Sequence, residues 1–241
     1  MAKLGILVQG ELDRLRKYNL FTATTVVLLL WVGMTWLLEA GEVTAFVPLI
    51  LLMDSTMMSS LLVGATLFYE KKEHAINSIL VTPVRETEYI AAKIIVSVFN
   101  SLLTFLALAA TAYFLKGVTF NFALVAAAVV VITAFHALLG IWFAFFSKNF
   151  SSLLVNLMLY IIFLMLPPVL ADLGIIGEKI ARFFIILPPD AAGTMLQAGF
   201  ATVPLGRLIF GFVYLLALSA ALYKYIVLPG FNQYAMRETG V

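Results

Sequence analysis

Long apolar runs, separated by short polar breaks, dominate the chain. Six of them reach the length of about 20 residues that a bilayer-crossing helix needs. They are residues 20–38, 46–68, 94–115, 122–146, 153–171 and 205–228. The breaks carry charge or turn residues, as in Glu39-Ala40-Gly41-Glu42 and Lys116-Gly117. Barrel strands would be shorter and would alternate apolar with polar positions. The pattern therefore predicts an all-α integral membrane protein, a single transmembrane domain of six spans over residues 1–241. A charged stretch precedes the first run and no convincing cleavage site follows it, so it reads as a span rather than a secretory signal.

Three polar or broken segments do more than join neighbouring spans. In residues 3–18, Leu4, Leu7, Val8, Leu12 and Leu15 recur at helical spacing, while Lys3, Asp13, Arg14, Arg16 and Lys17 fill other faces. This predicts an amphipathic helix lying on the inner leaflet, either as a platform that moves with the first span or as an anchor that sets topology. Residues 69–93 form the longest and most charged loop, with an apolar patch at Ile76, Ile79, Leu80 and Val81. Ile76, Ile79 and Leu80 share one helical face, and Pro83 disfavours helix at Thr82. That short helix suits docking on a soluble partner; the alternative is that the patch rests on the bilayer or on neighbouring helices. Residues 172–204 hold Pro188-Pro189-Asp190 and apolar pieces too short to span, which predicts half-membrane or re-entrant segments. They form either an outer gate built around Pro188, Pro189 and Asp190 or a fixed outer cap.

Composition then removes whole classes of function. Hydrophobic residues make up 63% of the 241 positions and charged ones 12%, with a mean hydropathy of +1.07. A soluble domain carries about 45–50% apolar and about 25% charged residues. The net charge of +2 comes from scattered basic residues, which argues against a nucleic-acid surface. The absence of Cys excludes disulfides, thiolate metal sites and thiol nucleophiles. With the N-terminus inside, eleven of the fifteen Lys and Arg residues fall on the inner side, leaving Lys116, Lys179, Arg182 and Arg207 outside. The positive-inside rule thus places both termini in the cytoplasm. The expected location is a plasma membrane, of prokaryotic type.

Candidate chemistry is sparse. Asp54 lies inside the second span, followed by Ser55, Thr56, Ser59 and Ser60. A charge near mid-membrane costs roughly 2.5–3.5 kcal/mol on insertion scales, so Asp54 must face protein or water. It reads either as a pathway carboxylate, with Ser55, Ser59 and His136 beside it, or as one end of an inter-helix hydrogen bond. His74 and His136 fall on different elements, so no metal-ligand spacing exists and no metal is expected. No Ser-His-Asp arrangement can be built either. The nearest approach to a phosphate loop, Gly5 to Leu12, has Glu11-Leu12 where Lys-Ser/Thr must meet the phosphates. This chain has no ATPase site of that kind, and no catalytic residue is expected.

The most specific stretch runs Gly64-Ala-Thr-Leu-Phe-Tyr-Glu70-Lys-Lys-Glu73-His-Ala-Ile-Asn-Ser-Ile-Leu80-Val-Thr82-Pro83-Val84 and on into Glu88-Tyr89-Ile90-Ala-Ala-Lys93. It resembles the signature of the type-2 ABC transporter permease family: a span ending in a Glu-rich turn, a short helix ending in Leu-Val-Thr-Pro, and a Lys opening the next span. His74-Ala75 departs from the Gly-Thr that members often carry. The amphipathic start, the six spans and the broken outer region are similar to that family along the whole chain.

The resemblance implies a permease subunit of an exporter for a small hydrophobic or amphipathic molecule, such as a drug, or a lipid-linked substrate. It implies dimerisation with a second copy or a similar permease. It also implies a separate ABC ATP-binding subunit, which would hold ATP and Mg; no cofactor would bind this chain. Glu70, Glu73, Ile76, Ile79, Leu80, Thr82 and Pro83 would then form or flank the helix that couples to the ATPase. The rival expectation is an ion- or proton-coupled secondary carrier using Asp54 and His136.

Overall fold

The computed structural model describes residues 2–73, 82 and 84–238. All regular structure among them is helical. Six helices are long and apolar enough to cross a membrane: α2 (Leu20–Leu37), α3 (Ala40–Lys72), α4 (Glu86–Leu115), α5 (Phe122–Phe146), α6 (Phe150–Asp172) and α9 (Leu205–Phe231). The protein is a multi-pass membrane protein. An N-terminal helix, α1 (Ala2–Lys17), precedes them. Between α6 and α9 lie the short α7 (Glu178–Ala181), a 3₁₀ turn (Arg182–Ile186) and α8 (Pro188–Gln197). Helical backbone continues past α9 to Glu238.

Two helices are longer than their apolar runs. α3 begins at Ala40 and runs to Lys72, where the sequence pattern predicts 46–68; α4 begins at Glu86 rather than at residue 94. Polar ends fold as helix here because their charges find partners. Glu39 and Glu42 make a reciprocal cap at the start of α3, and Glu70 and Lys93 neutralise one another. The connecting segment thereby shrinks from 69–93 to 73–85.

Helix α5 and the second half of α3 lie at the centre, each packed against the other and against α4. Their backbones nearly touch: a Cβ on Gly140 would lie 2.4 Å from the Ser60 carbonyl oxygen. Ser60 Oγ reinforces the crossing by donating to the His136 carbonyl at 2.7 Å. Small residues at such a crossing are how membrane helices gain close van der Waals contact. By contrast α2, α6 and α9 keep broad apolar faces exposed, including Leu29, Phe163 and Val213.

Among the described residues, four spans contain a π-helical turn, at Asp54–Met58, Thr111–Leu115, Ile161–Met165 and Tyr223–Val227. Helix α8 packs into the bundle. Ala191, Ala192, Met195 and Leu196 lie in the main core, against α3, α5 and α9.

Candidate functional site

The densest polar chemistry gathers where α1, the end of α3 and the start of α4 meet. α1 lays its apolar face on the bundle, with Leu15 packed against Leu62 and Val96. Glu11 sits on that same face, one turn before Leu15, and is only 2% exposed. Glu70 reaches it from the last turn of α3, and Tyr89 and Lys93, one turn apart, from the first turns of α4; all three are buried. Lys93 Nζ donates to both Glu11 oxygens at 3.0 Å and to Glu70 Oε1 at 2.9 Å. Arg14 Nη1 closes the ring at 2.6 Å from Glu11 and 3.0 Å from Glu70. The Tyr89 hydroxyl donates to the other Glu70 oxygen.

Two carboxylates and two cations thus balance, with Glu11, Glu70 and Lys93 buried and Arg14 half-buried at the edge. Burial pushes the Glu11 carboxyl above the ordinary carboxylate range and Glu70 adds to that, while Lys93 and Arg14 pull it back down. Burial works against the Arg14 charge, but Glu70 and Glu11 outweigh it and hold the guanidinium pKa above its usual value. Desolvating ions costs several kcal/mol each, so such a cluster fixes geometry rather than adding stability.

A second, exposed layer surrounds it. Lys17 Nζ and the Tyr18 hydroxyl donate to Glu73 Oε2 at 2.6 and 2.9 Å, and those bonds hold the Glu73 carboxyl below the usual range. Tyr18 stacks on Tyr69 at 4.8 Å. From the C-terminal helix, Phe231 packs on Tyr89 at 5.2 Å and Lys71 lies 4.8 Å over the Tyr234 ring. The N-terminal helix, both flanks of segment 73–85 and the C-terminal helix therefore share one junction.

Of the residues expected to couple to an ATPase, Glu70 and Glu73 lie in this junction and Thr82 is exposed. Ile76, Ile79, Leu80 and Pro83 lie outside the described residues. Sequence reasoning missed Glu11 and Arg14 as members of the cluster. Glu11 was nonetheless visible as a carboxylate in the middle of the α1 apolar stripe, between Leu7 and Leu15.

The mid-membrane candidates fall into two separate contacts rather than one pathway. Asp54, 3% exposed, accepts from Thr104 Oγ1 at 3.3 Å through Oδ1. Its Oδ2 and the neighbouring Ser55 Oγ have no hydrogen-bond partner among the described residues. Ser59 Oγ donates to the Ser55 carbonyl at 2.6 Å. Asp54 and His136 do not pair. His136 faces the Ile132 carbonyl through Nδ1 and the Tyr160 hydroxyl through Nε2, both at 2.8 Å.

At the far end, three polar contacts hold the inserted segment. Arg207 donates to Asp190 at 2.9 Å, Gln197 to Asp172 at 2.9 Å, and the Tyr214 hydroxyl to the Ile186 carbonyl at 2.5 Å. Burial raises the Asp190 carboxyl and Arg207 draws it back. Pro188 and Pro189 open α8, with Pro189 buried. A cavity of about 340 Å³ lies between α3, α6 and α8, lined by Pro48, Asp172 and Gln197 among others.

No family model matches the chain. It is similar to proteins from two strains of Mycobacterium tuberculosis, each named a fluoroquinolones export permease protein. Identity is 25% over 196 residues, covering 80% of this chain and 80% of each relative. The likeness runs along most of the chain, in keeping with six membrane-capable helices.

Proposed function

We propose that the chain is the permease subunit of an ABC exporter of the type-2 class. It moves a small hydrophobic or amphipathic molecule, or a lipid-linked one, outward, using ATP hydrolysed with Mg by a separate subunit. The observation that carries this reading is the largely buried Glu11–Arg14–Glu70–Lys93 cluster, which fastens the N-terminal helix to both flanks of segment 73–85. A connector that only joined two spans would not need to bury three charges, Glu11, Glu70 and Lys93, with Arg14 half-buried beside them. A segment that receives force from a docked protein does, because a rigid junction passes displacement into α3 and α4 instead of absorbing it. The name of the Mycobacterium tuberculosis relatives, export permease, supports the direction of transport and a drug-like substrate.

On this reading both termini and segment 73–85 face the cytoplasm of a prokaryotic cell, and the subunit works as a dimer. The α8 segment, with Pro188, Pro189 and Asp190, closes the outer side. Asp54, buried at the start of a π-turn with one carboxylate oxygen lacking a hydrogen-bond partner among the described residues, is the candidate pathway group within the membrane. The carrier alternative has less support, because His136 already spends both ring nitrogens on partners within the bundle.

The test is purification of the tagged chain from its native membrane, with mass spectrometry and an ATPase assay. An ATP-binding subunit should co-purify. Leu80→Asp should detach or uncouple that subunit while the permease stays in the membrane. Recovery of the chain without an ATPase in several mild detergents would defeat the proposal.

A further inference from the structure

A second concavity, of about 560 Å³, opens on the flank of the bundle between α5 and α6. Its volume lies within the range of roughly 300–1,000 Å³ typical of small-molecule sites. Trp142, Phe143 and Phe146 form one wall, Tyr160 and Phe163 the other, and Pro188, at the start of the inserted α8, closes one end. The rings form a connected set: Trp142 stacks on Phe143 at 5.7 Å, and Phe143 meets Tyr160 edge-on at 6.0 Å. Phe146 and Phe163 are 65% and 67% exposed, so the mouth faces the surface where lipid would lie.

Two polar residues, one turn apart on α6, belong to the lining of this aromatic surface. Asn156 donates through Nδ2 to Ser147 Oγ at 3.2 Å, and its amide oxygen has no partner among the described residues. Tyr160 is set by His136. The Ile132 carbonyl can only accept, so His136 Nδ1 carries the proton; with no carboxylate partner in this dry position the ring is neutral. Nε2 is then an acceptor, and the Tyr160 hydroxyl must donate to it. The hydroxyl proton is used inward, and the lone pairs of the phenol oxygen remain for a donor in the groove. Both polar groups therefore offer acceptors in a slot whose walls are flat rings.

We infer that this groove binds flat aromatic molecules bearing an N–H or O–H donor, taken from the membrane, with the ring system among the aromatic walls and the donor on Tyr160 or Asn156. The inference rests on the exporter reading for its transport meaning and adds the substrate class. It also gives Pro188 a role: a molecule in the groove abuts the tip of the inserted segment, so passage onward requires α8 to move.

The test uses the full chain in lipid nanodiscs with Trp31→Phe and Trp36→Phe, leaving Trp142 as the reporter. The probes are 9-aminoacridine, which carries an amino donor, and acridine, which lacks one. Quenching by 9-aminoacridine should saturate. Tyr160→Phe should weaken it about tenfold while leaving acridine unchanged, as expected for one hydrogen bond of about 1.4 kcal/mol. Phe163→Ala, which removes a lipid-exposed ring without opening the core, should weaken both probes. Quenching that rises linearly with membrane-dissolved probe and ignores Phe163→Ala overturns the inference. So does quenching of Trp142 by bromine-labelled acyl chains that the probes fail to relieve, since the groove is then a lipid seat. Co-purification of the ATP-binding subunit is scored on the same preparations. Loss of binding with that subunit retained defeats the groove and leaves the exporter reading standing.

Discussion

The two ends of the bundle fasten their extra segments in opposite ways. At the junction of α1 with α3 and α4, Glu11, Glu70 and Lys93 show side-chain exposures of 3%, 0% and 1%, and each carboxylate meets two cations. At the far end the α8 segment is tied by Arg207 and Asp190, at 46% and 14%, and by single contacts of Gln197 to Asp172 and of Tyr214 to the Ile186 carbonyl. Buried charges without partners are far more costly than exposed ones, so the first junction resists opening and the second yields. On the exporter reading proposed above, force enters at the first junction and the pathway opens at the second, and that division calls for such an asymmetry: a stiff input and a compliant exit.

The largest effect should come from breaking the stiff end. Lys93→Met leaves Glu11 and Glu70 buried together with Arg14 alone to balance them. Removing one partner of a buried pair costs about 3–5 kcal/mol. Denaturant unfolding of the detergent-purified protein should show that loss, and adding Glu70→Gln should restore part of it. A change under about 1 kcal/mol would mean that the cluster is hydrated and that the two ends do not differ in this way.

The strut between the ends is the α3–α5 crossing. Gly140→Ala places a methyl 2.4 Å from the Ser60 carbonyl oxygen, against backbone that cannot swing aside. Overpacking of this kind costs about 1–3 kcal/mol. Unfolding stability reports it, together with a shift in the environment of His136, the residue whose carbonyl holds Ser60. Unchanged stability would show that the helices slide apart freely and that displacement at one end is not carried to the other.

The six spans were legible because lipid allows no substitute for a long apolar run. What the hydropathy pattern hid was the polar ends. Positions 69–72 and 86–93 read as loop because they are charged, yet they are helical because Glu70, Tyr89 and Lys93 satisfy one another across α3 and α4. Such pairing is a property of the fold, invisible in any one segment. Glu11 is the exception, since a carboxylate flanked by Leu7 and Leu15 on an apolar stripe asks for a buried cation. The aromatic groove was not legible, because Phe and Trp are also what lipid-facing helices carry; only the facing of α5 to α6 makes walls of them. Nor could spacing show that His136 would turn to Tyr160 instead of Asp54.

At the compliant end, Asp190→Asn should change stability by less than about 1 kcal/mol, the usual worth of a partly exposed ion pair. A double-mutant cycle between Asp190 and Arg207 should return a coupling well below that between Glu70 and Lys93. Equal couplings would erase the contrast. The mutant should also be less affected than wild type by raising the pH. Burial lifts the Asp190 carboxyl, so its contribution is present below the unfolded value of 3.8 and lost as pH rises through the folded one.

The smallest effect belongs to Glu73, on the rim of the stiff end, and its pH dependence runs the other way. Lys17 and Tyr18 stabilise the ionised carboxylate, so the folded pKa lies below 4.5. Stability from this contact is fully present above the unfolded value and is lost as pH falls through the folded one. Wild type should therefore exceed Glu73→Gln slightly in thermal midpoint at neutral pH, and the gap should close on acidification. The difference between the two proteins removes the titration of the other carboxylates from the comparison. Because both donors sit on or beside α1, salt should shrink the same gap, as it does for any solvent-facing pair. The buried Glu70–Lys93 contact, tested in the same way with Lys93→Met, should respond to salt far less. A gap at Glu73 that persists in acid would place the hold on α1 entirely in the buried cluster, with the exposed layer contributing only position.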